Sequence, residues 1–243
     1  MNIDDQNFLI GCTLGDGCIR KDARTGSCTF VLSRAERHKE YAAWQLEKIN
    51  SILGSKATLR SFMDKGKYPA VRFGASNKKL LSSVYSLLYP NNKKTFTTEV
   101  LYLLGLQELA LFWMDDGSLE VRKRQRPRSV KIERSGWLAV CTDEYQADIV
   151  GNWIQHLTTA RYTKVQHKSG RYYLRWHSAQ CRLLINAIQP YILPCVAYKT
   201  DLNRTCSVKE WLSESQHQTL IVDNKMARAP YTQLALSKGD DIV

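Results

Sequence analysis

The feature that most restricts how this chain can fold is a repeat. Two nine-residue segments, Leu9-Ile10-Gly11-Cys12-Thr13-Leu14-Gly15-Asp16-Gly17 and Leu109-Ala110-Leu111-Phe112-Trp113-Met114-Asp115-Asp116-Gly117, align without gaps roughly 100 residues apart. Each is an apolar run that closes on Asp-Gly. The patterns following each copy recur in the same order, so the chain reads as two similar halves fused in one polypeptide.

In the first half, Phe8 to Leu14 reads as a short helix, with Asp4, Asp5 and Asn7 able to cap its start and the Gly15-Asp16-Gly17 turn ending it. Strand-like stretches 18–21 and 28–33 flank turn-forming residues and predict a hairpin. Residues 35–53 carry apolar positions at helical spacing and stop at Gly54; strand character resumes over 56–75 around Asp64-Lys65-Gly66-Lys67, and a helix over 77–89 is stopped by Pro90. The half is αββαββα. The second half repeats it, with a helix over 108–114, strands around 118–126 and 136–142, a helix 143–158, strands 161–168 and 171–177, and a helix 178–188 before Pro190. The expected fold class is α+β: two pseudo-symmetric αββαββα subdomains, 1–90 and 107–202, joined by a linker 91–106 and followed by an extension 203–243 to which no role is assigned.

Both copies of the repeat put a carboxylate at the exit of an apolar helix. If the two helices pack side by side, Asp16 and Asp116 emerge adjacent, where two negative charges repel unless a cation lies between them. Hard oxygen ligands suit Mg²⁺, completed by water or phosphate oxygens, and such an ion assists phosphodiester hydrolysis. One Asp-Gly after a helix is usually only a turn; two in matching halves favour the shared site. Asp115 is an alternative ligand in the second copy, and the gap-free alignment selects Asp116.

These segments resemble the LAGLIDADG homing endonucleases, in particular the single-chain, intron-encoded type with two motifs. Asn91-Asn92-Lys93-Lys94-Thr95 and Pro190-Tyr191-Ile192-Leu193-Pro194 through Tyr198-Lys199 resemble the family's segments after each half's last helix, so the likeness spans about residues 6–202. The resemblance implies subdomains packed through their motif helices, with antiparallel sheets forming a DNA-binding saddle. It implies Asp16 and Asp116 as ligands of Mg²⁺, with Mn²⁺ as the alternative ion, and Lys94 and Lys199 as the basic residues near the scissile phosphates. An ammonium there can stabilise the transition state or order the attacking water; a lysine at a helix C-terminus can also simply complement the dipole. The sequence departs from the family pattern at Leu111, where the motif has Gly, and at Leu14 and Met114, where it has an acid.

Charge agrees with a polyanionic partner. Lys and Arg total 35 against 23 acidic residues, a net of +12. The basic residues concentrate in the predicted hairpins: Arg20, Lys21 and Arg24; Lys65, Lys67 and Arg72; Arg122, Arg124 and Lys131; Lys164, Lys168, Arg171, Arg175 and His177, with Tyr173 among them. In the last strand Arg171, Tyr173, Arg175 and His177 alternate with Tyr172, Leu174 and Trp176, which gives one basic face and one apolar face. Two-stranded ribbons fit the major groove. The run 122–128 reads either as part of a ribbon or as a loop laid along the DNA backbone, because Pro127 opposes a central strand.

Other classes lose support. The seven cysteines include no CxxC pair, and the five histidines form no HxH or HxxxH pattern, so neither a zinc site nor an HNH nuclease is indicated. There is no phosphate-binding GxxxxGK[ST]. No stretch reaches the roughly 20 apolar residues of a membrane span, and the acidic N-terminus lacks the layout of a secretory signal. A soluble, intracellular monomer without membrane contact is expected. The opening Met and the closing Asp-Asp-Ile-Val are not the residues of intein splicing chemistry. Trp44, Trp113, Trp137, Trp153 and Trp176 lie in periodic segments and are expected in the core. The reading is a metal-dependent endonuclease that cuts double-stranded DNA at a long, weakly symmetric site and promotes mobility of an intron or insert. The alternative is an RNA maturase that binds intron RNA on the same scaffold, and a binding protein without catalysis ranks below both.

Overall fold

The structure, a computed structural model, describes residues 2–126 and 129–205. Helix α1 (Ile3–Leu14) starts earlier than the apolar run suggests, because the Asn2 side chain accepts a 2.7 Å hydrogen bond from the Asp5 N–H. Asn2 is therefore the cap, and Asp4 and Asp5 lie in the first turn, where the helix dipole favours negative charge.

Strands β1 (Cys18–Lys21), β2 (Cys28–Ala35), β3 (Arg60–Asp64) and β4 (Tyr68–Ser76) form an antiparallel sheet in the order β1-β2-β4-β3. Helices α2 (Lys39–Leu53) and α3 (Lys78–Leu88) pack on its inner face. Gly54, at φ 61°, ends α2 in the left-handed conformation that glycine tolerates best. The second half builds the same order, β5-β6-β8-β7, from β5 (Gly117–Arg126), β6 (Ser129–Thr142), β7 (Thr163–Gln166) and β8 (Tyr172–His177). Between the sheets in sequence come α4 (Thr98–Leu101) and α5 (Leu106–Asp116); α6 (Glu144–Thr158) and α7 (Ser178–Ile188) cover the second sheet. The segment 91–106 thus carries a short helix of its own.

The two registers correspond. Leu32 on β2 faces Phe73 as Leu138 on β6 faces Leu174. In both sheets alternate residues are buried: Cys28, Phe30 and Leu32 in one, Gly136, Leu138 and Val140 in the other. The basic run after Leu119 is a ribbon rather than a loop, with β5 paired to β6 out to Arg126 and Ser129. The pair Arg124–Glu133 at 2.8 Å binds it across the strands, and Lys131 holds the same glutamate along β6 at 2.9 Å. Pro127 and Arg128 lie outside the described residues.

The core runs through α1 and α5, which pack against each other with nearly every residue of both motifs buried. The departure at Leu111 is accommodated from the other side. A Cβ on Gly11 would lie 3.0 Å from Leu111 Cδ1, so the glycine of α1 is the notch into which the leucine of α5 fits. Trp113, Trp153 and Trp176 are fully buried and Trp44 packs at the core's margin. Trp137 is an exception: it lies on the opposite face of β6 from Leu138, with Arg175 stacked 4.4 Å from its ring. Strand alternation puts it outside the core. Among the described residues no helix is long and apolar enough to cross a membrane.

Candidate active site and nucleic-acid interface

The motif helices end differently. α1 stops at Leu14, so Asp16 lies beyond the helix, whereas α5 continues through Asp116. The closing glycines are required on both sides. A Cβ on Gly17 would come within 2.4 Å of the Cys12 carbonyl oxygen, and one on Gly117 within 2.5 Å of the Trp113 carbonyl oxygen. Each chain thus turns tightly back over its own helix.

The predicted lysines reach these ends in matching fashion. Lys94 Nζ donates to the carbonyls of Leu14 (2.8 Å) and Gly15 (3.2 Å). Lys199 Nζ donates to those of Met114 and Asp115, both at 2.6 Å. Both lysines therefore satisfy terminal helix carbonyls that lack an intrahelical partner. Burial lowers the pKa of each ammonium, and the neighbouring carboxylates oppose that shift.

Asp16, Asp115 and Asp116 form one electrostatic group. Burial, then the charges of Asp16 and Asp115, push the Asp116 carboxyl up to about 7, against the pull of Lys94 and Lys199. Asp16 remains partly open, with its side chain 37% exposed. Such a crowd of acids attracts a cation. Among the described residues no three His, Cys, Asp or Glu side chains converge to hold a metal. An ion between Asp16 and Asp116 would take its other ligands from water and phosphate, as Mg²⁺ does in polynucleotide-cutting sites. The donor set fits a divalent ion of that kind.

Asp115 has a different position. Its side chain is fully buried, and its two oxygens accept from the Asp16 N–H (3.0 Å) and from Arg34 Nη2 (3.0 Å). Arg34, 3% exposed in its side chain, also donates to Gln45 Oε1 at 2.8 Å and lies 4.2 Å from the centre of the Tyr41 ring. Burial works against its charge; Asp115, Tyr41 and Asp16 outweigh that and keep the guanidinium firmly protonated. Removing one member of such a pair typically costs about 3–5 kcal/mol. Arg34 lies outside the motifs and basic runs that mark the other site residues. The signal was there, since it occupies the inward position that follows Cys28, Phe30 and Leu32 on β2, where an arginine needs a buried partner.

The second half has no such pair. Gly15 stands at the motif position of Asp115, and register places Val140 at the position of Arg34. Here there is instead a cleft of about 470 Å³, lined by Gly15, Lys94, Asp116, Val140 and Arg171 among others.

The proposed nucleic-acid residues divide by strand parity. Arg20, Arg72, Arg122, Arg124, Lys131, Tyr173, Arg175 and His177 project from the sheet faces not covered by helices. Lys65, Lys67 and Lys168 lie in exposed hairpin turns, and Arg24 in the turn closed by Asp22. Arg171 borders the cleft. Two point the other way. Lys21 lies over the Tyr85 ring of α3, 5.5 Å from its centre, and Lys164, opposite the inward Leu174, bridges Glu144 and Asp148 of α6 at 2.7 Å each. Trp137, with its indole N–H donating to Glu120 (3.1 Å), is an unforeseen member of the open face.

Solved structures with this arrangement define the class. The homing endonuclease I-WcaI bound to its DNA recognition sequence superposes with a TM-score of 0.65 at 20% identity, over 82% of this chain and 86% of that one. The LAGLIDADG meganuclease I-AabMI bound to uncleaved DNA matches with a TM-score of 0.51 at 14% identity, over 94% and 100%. Mesophilic variants of the homing endonuclease I-DmoI match at 0.50 and 18%, over 77% and 96%. The fold is that of single-chain homing endonucleases. Residues 6–184 match the LAGLIDADG DNA endonuclease family, and the chain belongs to that family. Among curated proteins it is 25% identical over 207 residues to the RecA proteins of Mycobacterium shimoidei and Mycobacterium gastri, matching 81% of this chain. The chain spans about half the length of these relatives.

Proposed function

We propose that this protein is a site-specific endonuclease that hydrolyses both strands of a long, weakly symmetric DNA target with a divalent metal, Mg²⁺ or Mn²⁺, and so promotes mobility of the intron or insert that encodes it. One observation carries the reading: two acids in equivalent positions, Asp16 and Asp116, emerge together where two packed motif helices end, each followed by its own four-stranded sheet.

In this reading residues 1–90 and 107–202 act as two subdomains, each serving one half of the target, and the protein works as a monomer. Asp16 and Asp116 would hold the metal, which when bound lowers the pKa of a water and offsets charge on the leaving oxygen. Lys94 and Lys199 fix the helix ends, hold the acids' main chain in place and keep positive charge beside the phosphates that approach them. The uncovered sheet faces supply Arg20, Arg72, Arg122, Arg124, Lys131 and Arg175 to phosphates and base edges, and Trp137 stiffens Arg175 by stacking.

Selection of cut sequences from a randomised double-stranded library in Mg²⁺ tests this. The expected result is enrichment of one long site, with cutting abolished or reduced to nicking by Asp16→Asn and by Asp116→Asn. Absence of cutting by the wild-type chain, together with specific retention of intron RNA, would replace this reading with that of a maturase.

A further inference from the structure

Resting on the endonuclease reading, we infer that the buried Arg34–Asp115 pair is a positioning device for Asp16 alone, that it makes the two cutting centres unequal, and that it fixes the order in which the target strands are cut.

The two acids need different support. Asp116 lies in the last turn of α5, so its main chain is held by the helix itself. Asp16 lies two residues past the end of α1, where no intrahelical bond holds its N–H. Asp115 supplies the missing partner, accepting from Asp16 N at 3.0 Å, and Arg34 holds Asp115 in turn at 3.0 Å. The same guanidinium lies 3.8 Å from Asp16 Oδ2, so it touches both acids from beneath.

The device cannot be duplicated. A Cβ on Gly15 would lie 2.4 Å from Asp115 Cβ and 2.5 Å from its Oδ2, so only one of the two equivalent motif positions can carry a side chain. On the other side Val140 replaces the arginine and the cleft beside Asp116 remains open. One centre is thus braced by a dry ion pair, and the other is held by its helix and borders an open cleft. Preorganised groups that need no rearrangement speed the step they serve. The strand served by Asp16 is therefore cut first.

The test follows the two strands separately, using target DNA labelled on each strand and the full chain in Mg²⁺. The Asp16 strand is the one whose scission is hurt more by Asp16→Asn than by Asp116→Asn. Asp115→Asn, and the double variant Arg34→Met/Asp115→Asn that leaves no uncompensated buried charge, should slow that strand about tenfold relative to the other and so reverse or erase the order. Calorimetric titration of Ca²⁺ into the full chain should show several-fold weaker binding in the double variant, although its unfolding remains cooperative. Equal slowing of both strands, or unchanged strand ratio and unchanged Ca²⁺ affinity, would overturn the positioning role and leave the endonuclease reading intact. Failure of the wild-type chain to cut any DNA would overturn both.

Discussion

Lys94 and Lys199 perform the same act on the two motif helices: each ammonium closes two terminal carbonyls of its own half's helix. Replacing either by methionine leaves two buried acceptors unsatisfied, at about 1–3 kcal/mol each. The expected outcome is a loss of stability of that order for Lys94→Met and Lys199→Met, measured by urea denaturation of the metal-free chain. DNA cleavage should fall in both variants by more than the folded fraction falls.

Asp116 gives the metal-free protein a pH dependence. Its pKa rises from an ordinary 3.8 to about 7, mainly through burial, so the folded state holds a proton that the unfolded chain releases. The resulting stability is complete below pH 3.8 and is lost as pH rises through 7. The full loss is at most about 4 kcal/mol. In EDTA, Asp116→Asn should therefore unfold at nearly the same temperature as wild type at pH 4 and at a higher one at pH 8. Adding Mg²⁺ at pH 8 should raise the wild-type Tm and leave that of the variant almost unchanged; equal responses would remove Asp116 from the metal's ligands.

The motif glycines should rank by what a methyl group would meet. At Gly11 it meets the tip of Leu111 at 3.0 Å and Cβ and Cγ of Glu108 at 3.1 Å, all side-chain atoms, and at Gly17 it meets the Cys12 carbonyl oxygen at 2.4 Å. The leucine can move and the backbone cannot, and alanine in a helix recovers roughly 0.5–1 kcal/mol. Gly11→Ala is expected to cost less than about 2 kcal/mol, within the usual range of overpacking, and Gly17→Ala clearly more. Thermal unfolding of the two variants checks the order.

Strand parity predicts which basic residues contact DNA. Arg20→Ala and Arg122→Ala should each reduce the slope of log K against log salt by about 1, as expected when one phosphate contact is lost. Lys21→Ala and Lys164→Ala should leave the slope unchanged, because these side chains face α3 and α6. Equilibrium binding to the selected target in EDTA at several salt concentrations distinguishes them.

The repeat and its periodicities made most of the architecture legible, because a nearly gap-free pattern of apolar runs and turns leaves few ways to arrange eight strands and their helices. The regions that escaped were those decided by single side chains. Asn2 lies outside the apolar run, so only its hydrogen bond to Asp5 marks it as the cap. The ribbon after Leu119 is held by a cross-strand ion pair, Arg124–Glu133, that a strand of charged residues does not reveal by hydropathy. Trp137 has the composition of a core residue and the parity of a surface one, and parity decides. Charge alone makes Lys21 and Lys164 resemble DNA contacts, whereas one-residue alternation turns both towards helices. At the site, the equivalence of Asp16 and Asp116 could be read from alignment, whereas the asymmetric use of Asp115 requires Arg34, which is distant in sequence and joined to it only by the packing of α1 on α5.

The contact between Gly15 and Asp115 also sets the two halves apart. Two copies of the first half would meet with glycine against glycine, each Arg34 lacking its carboxylate. Two copies of the second would force aspartate into aspartate with no guanidinium beneath. The absence of a side chain at Gly15 thus makes room for the carboxylate of Asp115, and this one position acts as a key and its lock between unlike halves.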